Sequence, residues 1–202
     1  MASVSEPTLH LDNWFSTDAQ LHQLYPKAIQ LLASRHWSPL HIAQKALTFL
    51  VPNEEVKVLD IGSGVGKFCL AAAYYKPFAS FFGVEQRKDL IEHAETVRNI
   101  LGLQNAYFLH RNFTQVNLKQ YDHFYFYNSF FENLDDTDRI DNKIAYSKEI
   151  YNYYTCYLYT QLKELPIGTR VVTYCSWGDE IPSEYNLIES HCDNLLKFWK
   201  KI

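Results

Sequence analysis

The sequence predicts an α/β domain: a mostly parallel sheet of seven strands, helices on both faces, and an antiparallel hairpin at the C-terminal end. Three observations carry this expectation. Short β-branched or aromatic runs alternate with helically periodic segments from residue 56 to residue 175, the pattern of right-handed βαβ crossovers. Gly62, Gly64 and Gly66 separate the first run from an Ala-rich helical stretch. The last two β-like runs, 185–190 and 195–199, are joined by a few polar residues instead of a helix, which favours a hairpin.

The elements follow in order. Residues 1–16 read as irregular, after which Leu21, Leu24, Tyr25, Ala28 and Leu32 recur at helical spacing, with Pro26 splitting the segment or opening its second half. Ser38 and Pro39 read as N-cap and first-turn residue of a helix to about Leu50, with Ile42, Ala43, Ala46 and Leu47 inward and Pro52 as the stop. Strands are expected at 56–61, 81–85, 106–109, 124–127 and 170–175. A helix over 89–101 carries Leu90, Ala94, Val97 and Leu101 on one face, and Gly102 sits where a C-terminal glycine belongs. A long helix is expected over 137–165, with Ile140, Ile144, Tyr151, Tyr154, Leu158 and Leu165 as its apolar stripe. Residues 1–50 then form a helical extension packed on a core domain of residues 51–202.

Composition bounds the function. Of 202 residues, 47% are hydrophobic and 21% charged, which suits one globular domain. The formal net charge is −4 and no block of Lys or Arg stands out, so the footprint of a dedicated nucleic-acid binder is missing. The four cysteines, Cys69, Cys156, Cys175 and Cys192, form no CxxC pair. They read as buried free thiols in a reducing cytoplasm, and no metal site is expected. There is no secretory signal and no run of about 20 apolar residues, so a cytoplasmic protein without a membrane span is expected.

The most informative stretch is Val58-Leu59-Asp60-Ile61-Gly62-Ser63-Gly64-Val65-Gly66-Lys67. Glycines between a buried strand and a helix remove Cβ atoms where a ligand must approach, and the helix start offers free N–H groups. Lys67 stands where a dinucleotide fingerprint has its third glycine, and the spacing is one residue short of a phosphate-binding Walker loop, with Phe68 in place of its Ser or Thr. Glu85, at the end of the second strand, can accept two hydrogen bonds from ribose hydroxyls.

VLDIGSGVGKF followed by FFGVEQ resembles the first two motifs of the class I S-adenosylmethionine-dependent methyltransferases, and the C-terminal hairpin resembles the sixth and seventh strands of that Rossmann-like fold. The resemblance implies S-adenosylmethionine as cofactor. It implies that Asp60 lies near the methionine amino group and that Gly62, Ser63, Gly64 and Gly66 line methionine and ribose. Glu85, followed by Gln86, would bind the ribose diol. Asn112 and Phe113 stand where the family often has an acid and an aromatic beside adenine; Asn112 keeps a carbonyl acceptor but lacks the charge. Asn128-Ser129-Phe130-Phe131 stands at the family's catalytic motif, so Asn128 is the expected catalytic residue, touching both cofactor and acceptor. GSGVG, GVE and this segment are most similar to the non-SET histone-lysine methyltransferases, which implies N-methylation of a protein lysine or a small amine. His36, Tyr127 and Glu132 are candidates for handling the acceptor proton.

Other readings stand beside these. A nicotinamide-dependent oxidoreductase is disfavoured by Lys67, and a non-catalytic S-adenosylmethionine-binding protein shares the same loop. Trp37 reads as a lip over the cofactor or as a packed indole. The series Tyr146, Tyr151, Tyr153, Tyr154, Tyr157 and Tyr159 reads as core packing before it reads as a substrate wall. Lys197, Lys200 and Lys201 read as a solvated edge that blocks strand pairing.

Overall fold

A computed structural model describes residues 11–52 and 55–202. Expectations for residues 1–10 lie outside the described residues. The chain runs α1 (Leu11–Trp14), α2 (Asp18–His22), α3 (Lys27–Gln30), α4 (Ala33–His36), α5 (Leu40–Leu50), β1 (Lys57–Ile61), α6 (Lys67–Tyr75), β2 (Ser80–Glu85), α7 (Lys88–Leu101), β3 (Ala106–His110), β4 (His123–Tyr127), α8 (Lys148–Lys163), β5 (Arg170–Tyr174), β6 (Tyr185–His191) and β7 (Leu196–Lys201). The sheet order is β3-β2-β1-β4-β5-β7-β6. Strands β1 to β5 are parallel, and β7 runs antiparallel to both β5 and β6. The expected sheet and hairpin are present.

Alternation along the central strands builds two cores. Val58, Phe81, Tyr125 and Val172 face the cluster shared with α5, α6 and α7. Leu59, Ile61, Phe124, Phe126 and Val171 face the other, shared with Leu158 and Leu162 of α8. Asp60 therefore leaves β1 on the α6 side. The strand order reverses at β1, between β2 and β4, and that is where an open parallel sheet leaves a crevice at its carboxyl edge.

Several local expectations need correction. Residues 11–14 are helical, and the segment to His36 is a chain of four short helices; Ala28 is exposed while Ile29 packs on the core. Pro26 does split the segment, as the cap of α3. Ser38 is no cap: its hydroxyl bonds the Tyr125 hydroxyl at 2.7 Å, and the Leu40 N–H donates instead to Asp18 Oδ1 at 3.0 Å. The long helix starts only at Lys148, where the Ser147 hydroxyl accepts from the Ile150 N–H. Residues 137–147 are irregular because their polar groups are bonded to tertiary partners described below, not to a helical ladder. Of the cysteines only Cys69 is buried, while Cys156 and Cys192 are exposed.

The C-terminal lysines are not a solvated edge. β6, not β7, is the edge strand. Lys201 is buried, and its ammonium donates to the carbonyls of Lys163 and Leu165 at 2.5 and 2.6 Å, capping the negative end of α8. Lys197 donates to the carbonyls of Ser176 and Trp177.

Gly66 shows how tightly α6 sits on the sheet. Its φ is +76°, and a Cβ there would lie 2.4 Å from the Phe108 ring. Gly66→Ala is expected to destabilise the fold by about 2–4 kcal/mol through strain and overpacking, with Phe108→Ala in the same chain restoring part of that loss. Chemical denaturation of the two variants checks it.

Candidate active site at the carboxyl edge of the sheet

The bend after β1 is pinned from both sides. The N–H groups of Gly62 and Ser63 donate to the Val84 carbonyl at 2.9 and 3.0 Å, and the Ser129 hydroxyl donates to the Ile61 carbonyl at 2.6 Å. From the N-terminal helices the Tyr25 hydroxyl donates to the Val65 carbonyl at 3.1 Å. All three loop glycines have positive φ, but they serve different ends. A Cβ on Gly62 would lie 2.2 Å from the Ser129 hydroxyl, and one on Gly66 would strike Phe108, whereas a Cβ on Gly64 would meet nothing within 4 Å. Only Gly64 opens onto space. The Ser63 side chain turns under the loop towards Gly83, and its hydroxyl is buried with no hydrogen-bond partner among the described residues.

That space is a cleft of about 310 Å³. Its walls are the loop (Gly62, Gly64), the end of β2 (Glu85), the end of β4 (Tyr127, Asn128), and His36 and Trp37 from the N-terminal helices. Two smaller recesses adjoin it at Gly62. One holds Asp60, Ser63 and Lys67; the other holds Gln86, Asn112 and Phe113. The ten sequence-predicted site residues thus fall around one bend, with Gly66 behind it as a packing glycine.

The electrostatics are set by burial. Asp60 is buried, touched by the Cys69 thiol at 3.8 Å, and burial pushes its carboxyl up to about 8. Glu85 is 5% exposed. Its two oxygens accept from the Gly64 N–H at 3.2 Å and the Arg87 N–H at 2.9 Å. Burial raises its pKa, an effect opposed by the Arg87 charge. Lys67 is also buried, paired with Asp18 and 3.0 Å from His22 Nε2; burial holds its pKa below the ordinary lysine value. At the outer wall, Asn128 has φ +42° and its side-chain amide enters no hydrogen bond within the described residues.

A free bend, a carboxylate bonded to it from β2 and an acid at the end of β1 fit a cofactor with a ribose and an amino-acid end. Comparison with known proteins gives the same answer. Residues 52–195 match the family model described as a methyltransferase domain. The chain belongs to this family. It is a class I methyltransferase, and its cofactor is S-adenosylmethionine.

The methyltransferase is similar to an RNA methyltransferase from Salinibacter ruber, solved with S-adenosyl-L-homocysteine, at TM-score 0.56 and 18% identity over 82% of this chain and 92% of that one. It is similar to TrmN from Thermus thermophilus at TM-score 0.59 and 15% identity over 86% and 52%. Both likenesses concern the fold. Among curated proteins it is 50% identical over 54 residues to a tRNA (guanine-N(7)-)-methyltransferase of Synechococcus sp. (strain JA-3-3Ab), covering 27% of this chain and 23% of that protein. It is 39% identical over 87 residues to the one of Trichormus variabilis, covering 39% and 40%. These matches span well under half of either relative. The relatives are named for a tRNA guanine, where the motif resemblance implied a protein lysine.

Some expectations for single side chains of the methyltransferase need adjusting. The Asn112 carbonyl oxygen is occupied, accepting from the Thr114 N–H and hydroxyl at 3.0 and 2.9 Å, while its amide donates to Gln86 Oε1 and to the Tyr154 hydroxyl. Phe113 packs on Phe130 at 4.9 Å and is almost buried. Tyr154 and Tyr157 pack beside it, and with Tyr151 they make half of the tyrosine series partly buried core packing. Tyr153 is exposed, and Tyr146 joins an ion cluster. Trp37 is at once packed, against His22 and Tyr25, and a wall of the cleft. The proton-handling candidates all line the cleft. The Tyr127 hydroxyl is pushed up to about 12 by burial and donates to the Arg35 carbonyl, Glu132 is held by Arg87, and burial pushes the His36 pKa down. Sequence reading missed Arg87 and the Asp18–Lys67 pair because, Glu85 apart, the partners lie 45 to 59 residues away.

Among the described residues no helix is long and apolar enough to cross a membrane.

A buried acid with a raised pKa makes a signed prediction. The folded state holds the Asp60 proton more tightly than the unfolded chain, so its favourable contribution is full below the unfolded value and is lost as pH rises towards about 8. Asp60→Asn is therefore expected to raise the thermal midpoint of the ligand-free protein at pH 8.5 and to change it little at pH 5. Scanning calorimetry at the two pH values checks this, and a larger gain at pH 5 contradicts it.

Proposed function

We propose that this methyltransferase transfers the methyl group to a nitrogen. The observation that carries the reading is the side-chain amide of Asn128, which enters no hydrogen bond among the described residues, in the same cleft as Gly64 and Glu85. An amide carbonyl can hold an N–H beside the acceptor atom and so aim its lone pair.

The residue roles follow from placement. Bound S-adenosylmethionine supplies an electrophilic methyl on sulfur for in-line displacement. Glu85 would accept the ribose hydroxyls and the open face of Gly64 would lie against the ligand. Asp60 would meet the methionine amino group, with Ser63 and Gly62 shaping that recess. Gln86 and Phe113 would border the adenine, and Asn112 would act there through its bonds to Thr114 and Gln86. Trp37 and Phe131 wall the cleft and exclude water.

The acceptor that the curated relatives suggest is guanine N7 of a tRNA. A ring nitrogen of this kind brings a lone pair and no proton, so no base is required, and the Asn128 amide would then donate an N–H to the neighbouring O6 instead of accepting one. A second reading is favoured by the charge of the cleft. Glu85, Glu132, Asp136 and Asp138 line it; Arg87 pairs with the first two and Arg35 with Asp138, which leaves a net negative wall that repels a phosphate backbone and attracts a cationic amine. His36, kept neutral by burial, would then take the proton.

Two measurements test these statements. Calorimetry is expected to show S-adenosylhomocysteine binding to the wild type and an affinity loss of at least ~100-fold, about 2.7 kcal/mol, in Gly64→Leu, whose Cβ meets no atom within 4 Å but whose φ of +53° adds backbone strain, so a folded thermal transition of the free variant is required alongside. Unchanged affinity would reject the pocket. Transfer of labelled methyl from S-adenosylmethionine to unmodified tRNA, compared with transfer to a lysine-rich protein mixture, separates the acceptors. Asn128→Ala is expected to lower kcat at least ~100-fold on the true acceptor while leaving cofactor affinity within a few-fold.

A further inference from the structure

The segment between β4 and α8 has little regular structure, a single 3-10 turn at Phe131–Asn133, yet it forms much of the acceptor side of the cleft through Phe131, Glu132, Asp136, Thr137, Asp138 and Ile140. Arg35 ties it through Asp138 and Lys143 ties it to Asp89, both at exposed positions, while the buried tie is Arg87. Arg87 follows β2 by two residues and is 3% exposed. Its Nη2 donates to Glu132 Oε2 at 2.6 Å and to the Tyr146 hydroxyl at 2.7 Å. Its Nε faces Asp141 Oδ2 at 3.4 Å, and its Nη1 donates to Glu85 Oε1 at 3.3 Å. Glu132 Oε2 in turn accepts from the Ile140 N–H, and the Tyr146 hydroxyl donates to the Asp141 carbonyl at 2.8 Å.

Three carboxylates thus share one guanidinium. Two come from the acceptor-side segment, and the third is the acid assigned to the ribose. Breaking such a buried set by removing its cation leaves uncompensated charge. Easing one acid away leaves the guanidinium to the others. Burial would lower the Arg87 pKa, but the bond and charge of Glu132, then the charge of Glu85, more than reverse this and keep it a permanent cation.

We propose that Arg87 is a positioning residue that couples cofactor binding at Glu85 to the packing of residues 131–147 over the acceptor side of the cleft. The proposal rests on the reading that Glu85 holds the ribose. Ribose hydroxyls donating to Glu85 compete with its long bond to Arg87, and the guanidinium then serves Glu132, Asp141 and Tyr146 more fully. The acceptor wall tightens once cofactor is in place. By reciprocity, whatever stabilises that wall strengthens cofactor binding by the same factor. Cofactor binding and acceptor binding are therefore mutually favourable.

Hydrogen–deuterium exchange of the full chain, with and without S-adenosylhomocysteine, tests this without knowledge of the acceptor. In the wild type, ligand is expected to slow exchange in residues 134–146 by at least about fivefold, the lower end of ordinary coupling, as well as around Gly64. In Arg87→Lys, which keeps the charge but cannot reach four partners, protection near Gly64 is expected to persist and the slowing in 134–146 to vanish. A merely structural Arg87 would speed exchange in the free variant but leave the ligand-induced increment, so the increment is the deciding quantity. Tyr146→Phe, which deletes the hydroxyl's bonds to Arg87 and to the Asp141 carbonyl and strands no charge, is expected to halve it and serves if Arg87→Lys does not fold. Ligand binding to the wild type with unchanged exchange in 134–146, or an increment retained in the variants, overturns the coupling. Failure of the wild type to bind ligand sinks the ribose assignment and the coupling with it.

Discussion

The structure depends on a backbone constraint: the chain must reverse sharply between β1 and α6 while three neighbours press on the bend. Positive φ at Gly62, Gly64 and Gly66 permits the reversal. Ser129 occupies the place of one missing Cβ and Phe108 that of another. The third, at Gly64, opens onto the cleft. A side chain at any of the three has a different consequence, so the glycines are not interchangeable although the sequence presents them as one motif.

Charge is organised around that bend by burial more than by attraction. Asp60 and Glu85 are both withdrawn from water and both raised in pKa. Such acids are costly in the free protein and become favourable when a ligand offers hydroxyl or ammonium donors. Lys67, next to Gly66, is neutralised by Asp18 from the N-terminal helices. The cation that could have served a phosphate is thereby spent on anchoring residues 18–22. Arg87 does the corresponding work on the opposite side of the cleft, for the segment that follows Asn128.

The central strands β1, β2, β4 and β5 were legible in the sequence because strands buried on both faces write themselves as short apolar runs, and β6 and β7 were legible through their short polar connection. All seven were placed within two residues of where they lie. Helices with a local cause were equally legible: α5 through its apolar spacing, α7 through Gly102, whose φ of +66° ends it. Errors arose where distant partners override local preference. Residues 137–147 carry a helical apolar spacing, but Asp141 and Tyr146 are drawn to Arg87 and Lys143 to Asp89, so the helix waits for Ser147. Ser38 has the chemistry of a cap and is claimed by Tyr125. Lys201 has the chemistry of an exposed edge and caps α8 instead. Asp60, Gly64 and Glu85 lie together because the spaced motif puts them on β1, in the loop after it and at the end of β2. Asn112 was misjudged in its hydrogen bonding, because the sequence gives no sign that Thr114 would take its carbonyl.

The central claim is that the opening at Gly64, faced by Glu85, is built for an adenosyl group. A crystal structure of the chain with S-adenosylhomocysteine tests it most directly. The account predicts ribose oxygens within hydrogen-bond reach of Glu85 and ligand atoms packed on the Gly64 backbone. A ligand seated elsewhere, with Glu85 bonded only to Gly64 and Arg87 as it is here, would contradict it.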